Sequence, residues 1–163
     1  MKLFWRKDKE EKVKEAKAFV TGHAIPITEV NDPVFSSKTL GDGLGIVPEG
    51  ETIYAPCAGT ISTIAKDSKH AIGMTLNNGV EIMIHVGIDT VSMNGKGFKV
   101  FVKENEKVKE GEKLLSFDKE LIESEGFDTT CMFVVINSDQ FSNVNYFINQ
   151  DVTEKETVIC SFE

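Results

Sequence analysis

From about residue 18 onward, apolar positions come in short runs broken by Gly-, Asn- and Asp-containing turns. The runs predict strands over residues 44–47, 52–55, 59–66, 71–76, 80–86, 98–102, 113–117, 132–136 and 157–162. Turn signals separate them: Asp42-Gly43, Pro48-Glu49-Gly50, Asn77-Asn78-Gly79, Asn94-Gly95 and Glu110-Gly111. Many short strands at this spacing predict an all-β chain, an antiparallel sandwich or barrel with short helical turns. One segment reads as helix, residues 118–125, with Asp118 placed to cap its start. A faint echo links Val108-Lys109-Glu110-Gly111-Glu112-Lys113-Leu114-Leu115 to Val152-Thr153-Glu154-Lys155-Glu156-Thr157-Val158-Ile159. A repeated turn-and-strand unit fits a fold with approximate internal symmetry, and chance similarity explains it equally well.

The first 17 residues differ from the rest. They carry seven basic and four acidic side chains, a net of +3, so residues 18–163 carry −11 of the total −8. Glu10 and Lys14 have the i,i+4 spacing that supports a helix. The chain therefore divides into a charged tail, residues 1–17, and a body, residues 18–163. The tail reads as frayed chain, or as an interfacial anchor in which Leu3, Phe4 and Trp5 enter lipid beside Lys2, Arg6 and Lys7. The acidic body argues against nucleic-acid binding and suits a basic protein partner. With 40% hydrophobic and 27% charged residues, 163 residues suit one soluble domain. Cys57, Cys131 and Cys160 are odd in number and far apart, which suits core residues in a reducing cytoplasm rather than a disulfide framework. No apolar run reaches the roughly 18 residues that span a bilayer.

The candidate chemistry lies in the histidines. His85 ends the strand Val80-Glu81-Ile82-Met83-Ile84-His85-Val86. Alternation puts it on one face with Met83 and Glu81, opposite Ile82, Ile84 and Val86. A histidine in so apolar a strand is partly desolvated, which favours a neutral, nucleophilic ring. His70 opens the preceding strand, and Asn77-Asn78-Gly79 joins the two. Counting outward from that turn places residue 70 opposite residue 85 or 86, so the imidazoles would be cross-strand neighbours. Such a pair has three readings. It is a structural hydrogen-bonded pair, a metal site, or a nucleophile with a partner that orients it or stabilises its transition state. Zinc at His70 and His85 is the weaker case, because catalytic zinc wants three protein ligands and no third is evident. No cofactor is indicated. The third histidine, His23, reads as a surface residue.

The segment Gly79-Val80-Glu81-Ile82-Met83-Ile84-His85-Val86-Gly87-Ile88-Asp89-Thr90-Val91 resembles the active-site signature of glucose-type enzyme IIA domains of the bacterial phosphotransferase system. Every position fits the pattern of Gly, two variable residues, three aliphatics, His, then aliphatic-Gly-aliphatic-x-Thr-aliphatic. The resemblance covers about residues 18–137. It includes Asp32-Pro33-Val34-Phe35, Leu40-Gly41-Asp42-Gly43-Leu44-Gly45-Ile46, Ala55-Pro56 with Ala58-Gly59, Lys69-His70-Ala71-Ile72-Gly73, Gly95-Lys96-Gly97-Phe98, Val108 with Gly111-Glu112 and Leu114, and Asn137.

The resemblance implies an antiparallel β-sandwich/barrel of the duplicated hybrid motif type. It also implies a phosphoryl carrier in sugar uptake. His85 would take phosphate from the phosphohistidine of the small carrier HPr and pass it to a cysteine of an enzyme IIB domain, part of a separate IIBC transporter. His70 would hydrogen-bond the phosphoryl oxygens, with Ser68 behind it where the family usually has Thr. Asp42 and Asp89 would flank the site and meet arginines of HPr. Phe35, Leu44, Ile46 and Val91 would form an apolar docking rim. Cys131-Met132 stand where the family often has Ser/Thr-Pro. Two other functions compete with the carrier. One is a regulatory binding module of the same fold that signals to target proteins by its phosphorylation state. The other is a zinc-dependent hydrolase.

Overall fold

The computed structural model describes residues 11–162. The β-rich expectation holds, with every strand pair antiparallel. The largest sheet contains β2 (Gly22–Pro26), β3 (Asp42–Pro48), β5 (Gly59–Ile64), β6 (Ala71–Thr75), β7 (Glu81–Val86), β9 (Lys107–Val108), β11 (Cys131–Val135) and β13 (Gln150–Val152). Its order is β13-β2-β3-β11-β7-β6-β5-β9. Two smaller sheets flank it. One is β4 (Thr52–Tyr54), β10 (Lys113–Phe117) and β8 (Phe98–Val100), in the order β4-β10-β8. The other is β1 (Glu15–Lys17), β14 (Val158–Phe162) and β12 (Val144–Tyr146), in the order β1-β14-β12. The sheets stay open at their edges rather than closing into a barrel.

Alternation decides which side chains go inward. Ile82, Ile84 and Val86 of β7 are buried in the main core, together with Ala16 of β1, Leu44 and Ile46 of β3, Ile53 of β4, Leu115 of β10 and Ile159 of β14. Each fully buried large aliphatic contributes about 1.5–3 kcal/mol. The opposite face of the large sheet carries a second, smaller cluster of Ile27, Val30, Phe35, Ile88, Met132 and Val134. Close strand packing needs Gly43, where a Cβ would come within 1.9 Å of the Phe133 carbonyl oxygen.

The sequence echo has a structural counterpart. Ala55 exchanges backbone hydrogen bonds with the turn at Gly111 and Glu112, and Ala18 does the same with Lys155 and Thr157. Gly59 then pairs with Val108, as Gly22 pairs with Val152. The same turn-and-strand unit is built twice, and the two turns meet where the Lys155 side chain approaches Gly111. Both turns use a left-handed residue, Gly111 in one and Lys155 in the other.

Two expectations need correction. The body begins before residue 18: Glu15–Lys17 is a strand paired to β14, and Ala16 is buried. Ahead of it, the Val13 amide donates to Asn77 Oδ1, and the Asn78 side chain donates to the Val13 carbonyl. The charge pattern suggested a tail because the strand is only three residues long and its outer positions are polar. The proposed anchor residues Leu3, Phe4 and Trp5 lie outside the described residues. Among those described, no helix is long and apolar enough to cross a membrane. The second correction is a one-turn helix, α1 (Pro33–Ser36), that the sequence pattern did not predict. The predicted helix at 118–125 is α2 (Lys119–Ser124), and Asp118 caps it by accepting from the Leu121 amide.

Candidate active site

The β6–β7 hairpin builds the site. Its register pairs Ala71 with His85 and Thr75 with Glu81, and the Val86 amide donates to the His70 carbonyl at 2.8 Å. Residue 70 therefore falls opposite residue 86, as counting from the turn predicted. Buried Asn137 locks the far end: its Oδ1 accepts from the Glu81 amide and its Nδ2 donates to the Gly79 carbonyl. This clamp fixes the hairpin register, and with it the relation between the two histidines.

The imidazoles meet edge to face, with ring centroids 4.5 Å apart and planes at 88°. Phe35 closes on His85 from α1, at 5.0 Å between centroids and 62°. His70 is 7% exposed, and its Nδ1 lies 2.8 Å from the Ser68 hydroxyl. That bond leaves His70 Nε2 free. If the Ser68 hydroxyl donates to Nδ1, Nε2 carries the proton and can donate to an anion.

His85 is asymmetric in another way. Its Nδ1 is sealed from solvent, which leaves Nε2 as the ring nitrogen that can meet a substrate. Burial pushes its pKa down to about 4, helped by repulsion from His70 whenever that ring is protonated; the Gly87 backbone and the Asp32 carboxylate pull it partly back. Burial also lowers the pKa of His70. Both rings are therefore neutral at pH 7.

The segment after His85 turns sharply. Gly87 has φ +79, and a Cβ there would lie 2.4 Å from Thr90 Cγ2. Buried Thr90 donates its hydroxyl back to the Val86 carbonyl at 2.5 Å. The turn leaves Asp89 exposed in the left-handed region and Val91 57% exposed.

Three expected partner-binding residues are placed otherwise. Leu44 and Ile46 are 0% exposed and belong to the main core, because alternation in β3 turns them away from the His85 face. Gly45 is the β3 residue level with His85, through Met132 between them. Asp42 does not flank the nucleophile. It pairs with Val135 at the far end of β3, three register positions from Gly45, and lies 3.5 Å from Lys38 Nζ. The carboxylate whose charge acts on His85 is Asp32, which belongs to the matching segments but was given no role by them. Asp32 caps α1 by accepting from the Val34 amide, so one residue starts the helix that carries Phe35 and supplies the negative charge. The exposed apolar residue beside it is Val34, at 48%. An Asp-Pro pair before a short apolar run was the available signal, since it marks an N-cap. His23 is a surface residue paired with Asp151 at 2.9 Å. The three cysteines are buried and free. As to zinc, His70 and His85 find no third His, Cys, Asp or Glu to complete a cluster among the described residues.

The chain resembles known proteins along most of its length. Residues 14–141 match the family model described as phosphoenolpyruvate-dependent sugar phosphotransferase system, EIIA 1. A glucose-specific EIIA component from Staphylococcus aureus is 33% identical over 158 residues, covering 97% of this chain and 95% of its own. The glucose-specific EIIBCA component of Corynebacterium glutamicum is 42% identical over 123 residues, covering 76% of this chain. This chain spans only 18% of that longer protein. The glucose permease IIA of Mycoplasma capricolum superposes with a TM-score of 0.79 at 31% identity, covering 93% of this chain and 96% of that one. The chain therefore belongs to the EIIA 1 family of the phosphoenolpyruvate-dependent sugar phosphotransferase system, whose members are phosphotransferases.

Proposed function

We propose that His85 Nε2 is the phosphoryl acceptor and donor, and that HPr and an EIIB domain are its two partners. The observation that carries this is the perpendicular histidine pair, with Nδ1 of His85 sealed and Nε2 open. The Nε2 lone pair attacks the phosphorus of phosphohistidine on HPr, and the donor N–P bond breaks as the new one forms. Onward transfer reverses the roles: a cysteine thiolate attacks phosphorus, and the electron pair returns to His85. His70, held through Nδ1 by Ser68, donates Nε2–H to the phosphoryl oxygens, where transition-state charge collects. The low His85 pKa keeps the nucleophile unprotonated across the physiological range.

Docking uses Val34 and Val91 as apolar contacts, with the Asp32 and Asp89 carboxylates steering a basic partner; Phe35, expected in the rim, is buried against His85 instead. Asp42, Leu44 and Ile46 have no part in this rim. The free cysteines suit work in the cytoplasm.

The test is phosphorylation by phosphoenolpyruvate, enzyme I and HPr, read by intact mass. Wild type and His70→Ala should each gain one acid-labile phosphoryl group, and His85→Ala none. Labelling of His85→Ala would refute the assignment.

A further inference from the structure

The turn that follows His85 is held by the loop leading into β11. The Gly87 amide donates to the Thr130 carbonyl and the Ile88 amide to the Asp128 carbonyl, both at 2.9 Å. One carboxylate ties that loop together. Asp128 Oδ1 accepts from the Thr130 amide at 2.8 Å and from the Thr130 hydroxyl at 2.7 Å. Thr130 is buried, whereas Asp128 is exposed. The two carbonyls that hold the turn therefore belong to the two residues that this carboxylate joins. Loop and turn also lie close: a Cβ on Gly87 would come within 3.2 Å of the Asp128 carbonyl oxygen.

The consequence falls on Gly87. Its N–H is committed to Thr130, and its backbone raises the pKa of His85, as an acceptor beside a ring nitrogen does. The group that Gly87 turns toward the ring is therefore its carbonyl, and Nδ1 is the nitrogen that the protein encloses. Attack through Nε2 needs the ring proton on Nδ1, and a carbonyl on that side favours the tautomer that holds it there.

We propose that Asp128 is a positioning residue for phosphoryl transfer: by pinning Thr130 it fixes the Gly87 carbonyl beside His85, which keeps the neutral ring in its Nδ1–H form with the Nε2 lone pair free for phosphorus. The proposal rests on the carrier reading of His85. As Nε2 gives its lone pair to phosphorus, the donor N–P bond breaks and Nδ1 keeps its proton. The ring gains positive charge, which the carbonyl oxygen faces. Asp128 acts here by hydrogen bonding, not by charge. The charges that act on His85 belong to His70 and Asp32, and that of Asp128 acts on Cys131. An amide oxygen can accept the same two bonds, so Asn should replace Asp at this position while Ala should not.

The experiment compares wild type with Asp128→Ala, Asp128→Asn and Thr130→Val, each ¹⁵N-labelled. In the bare proteins, NMR reads the His85 tautomer from its ring ¹⁵N shifts and the hydrogen exchange of the Gly87 and Ile88 amides. Rapid-quench assays of acceptance from phospho-HPr give kcat and KM separately. Wild type and Asp128→Asn should show the Nδ1–H form, protected amides and the same kcat. Asp128→Ala should show a share of the Nε2–H form, faster exchange of both amides and a kcat lowered roughly tenfold at unchanged KM, the worth of about one hydrogen bond. Thr130→Val keeps the amide bond and loses the hydroxyl one, so it should fall between them. A folded Asp128→Ala that keeps the wild-type tautomer overturns the proposal whatever its rate. So does an Asp128→Asn that behaves like Ala, because the effect would then be one of charge. Should Asp128→Ala fail to fold, wild type decides: a ring in the Nε2–H form, or a Gly87 amide in fast exchange, overturns the proposal, and an Nδ1–H ring with both amides protected supports it. A wild type that accepts no phosphate from active HPr sinks the carrier reading, whereas the tautomer and exchange arms fail separately because they use unphosphorylated protein.

Discussion

Burial of a neutral His85 makes stability depend on pH, and the effect can be isolated. The His85 pKa falls from 6.5 to about 4 on folding. Between those values the unfolded chain binds a proton that the folded chain refuses, so stability drops as pH falls from about 6.5 toward about 4. Above 6.5 both states carry a neutral ring and the difference vanishes. A tenfold change in proton affinity is worth about 1.4 kcal/mol, so the full window is worth about 3 kcal/mol and the step from pH 7 to pH 5 about 2 kcal/mol. His85→Gln removes the titrating group and keeps an amide of similar reach. Carboxylates also titrate in this window, but they do so in both proteins and cancel in the difference. Urea denaturation at pH 7, 6, 5 and 4.5 measures it. Wild type should lose about 2 kcal/mol more than His85→Gln between pH 7 and pH 5, which is about 1 M in midpoint. Parallel stability curves for the two proteins would refute the reasoning, because they would mean that folding does not desolvate the ring.

Three further outcomes follow from particular contacts. Ser68→Ala removes the partner of His70 Nδ1; onward transfer to EIIB should slow roughly tenfold, the cost of about 1.4 kcal/mol for a lost hydrogen bond, while Ser68→Thr restores the rate in stopped-flow assays. Asp32→Asn removes the carboxylate whose charge acts on His85; acceptance from phospho-HPr should slow severalfold at low salt and converge with wild type near 1 M, as screened steering requires. Gly43→Ala places a Cβ within 1.9 Å of the Phe133 carbonyl; it should cost more than about 2 kcal/mol in urea melts, the range of overpacked sites, and an unchanged midpoint would show that β3 and β11 separate easily.

Much of the fold and site was legible because the sequence pattern is local. The β7 alternation fixes which residues face His85, and one turn, Asn77-Asn78-Gly79, sets the His70–His85 relation; both need only nearest-strand geometry. What was missed is non-local or too short. β1, β2, β9, β12 and β13 have at most five residues each and carry no usable period. The Asp42 and Leu44 assignments failed for a different reason. Position along the chain near a resemblance does not tell which face of β3 is which until β11 is known to lie between β3 and β7. Asp32 was visible as a cap residue, but that the helix it caps lays Phe35 on His85 is a tertiary fact.

The large sheet separates stability from chemistry by face. Ile82, Ile84 and Val86 point into a main core drawn from all three sheets, so β7 is anchored by residues remote from the nucleophile. Met83 and His85 point the other way, onto a cluster of only a few side chains. A change in the main core must alter global stability before it moves His85, because many contacts share the load. The ring's pKa is set by burial on this face and by His70, the Gly87 backbone and Asp32. The duplicated turn-and-strand units lend the sheet its frame, but the β6–β7 hairpin and the α1 segment that close on His85 give one half a site the other half need not share.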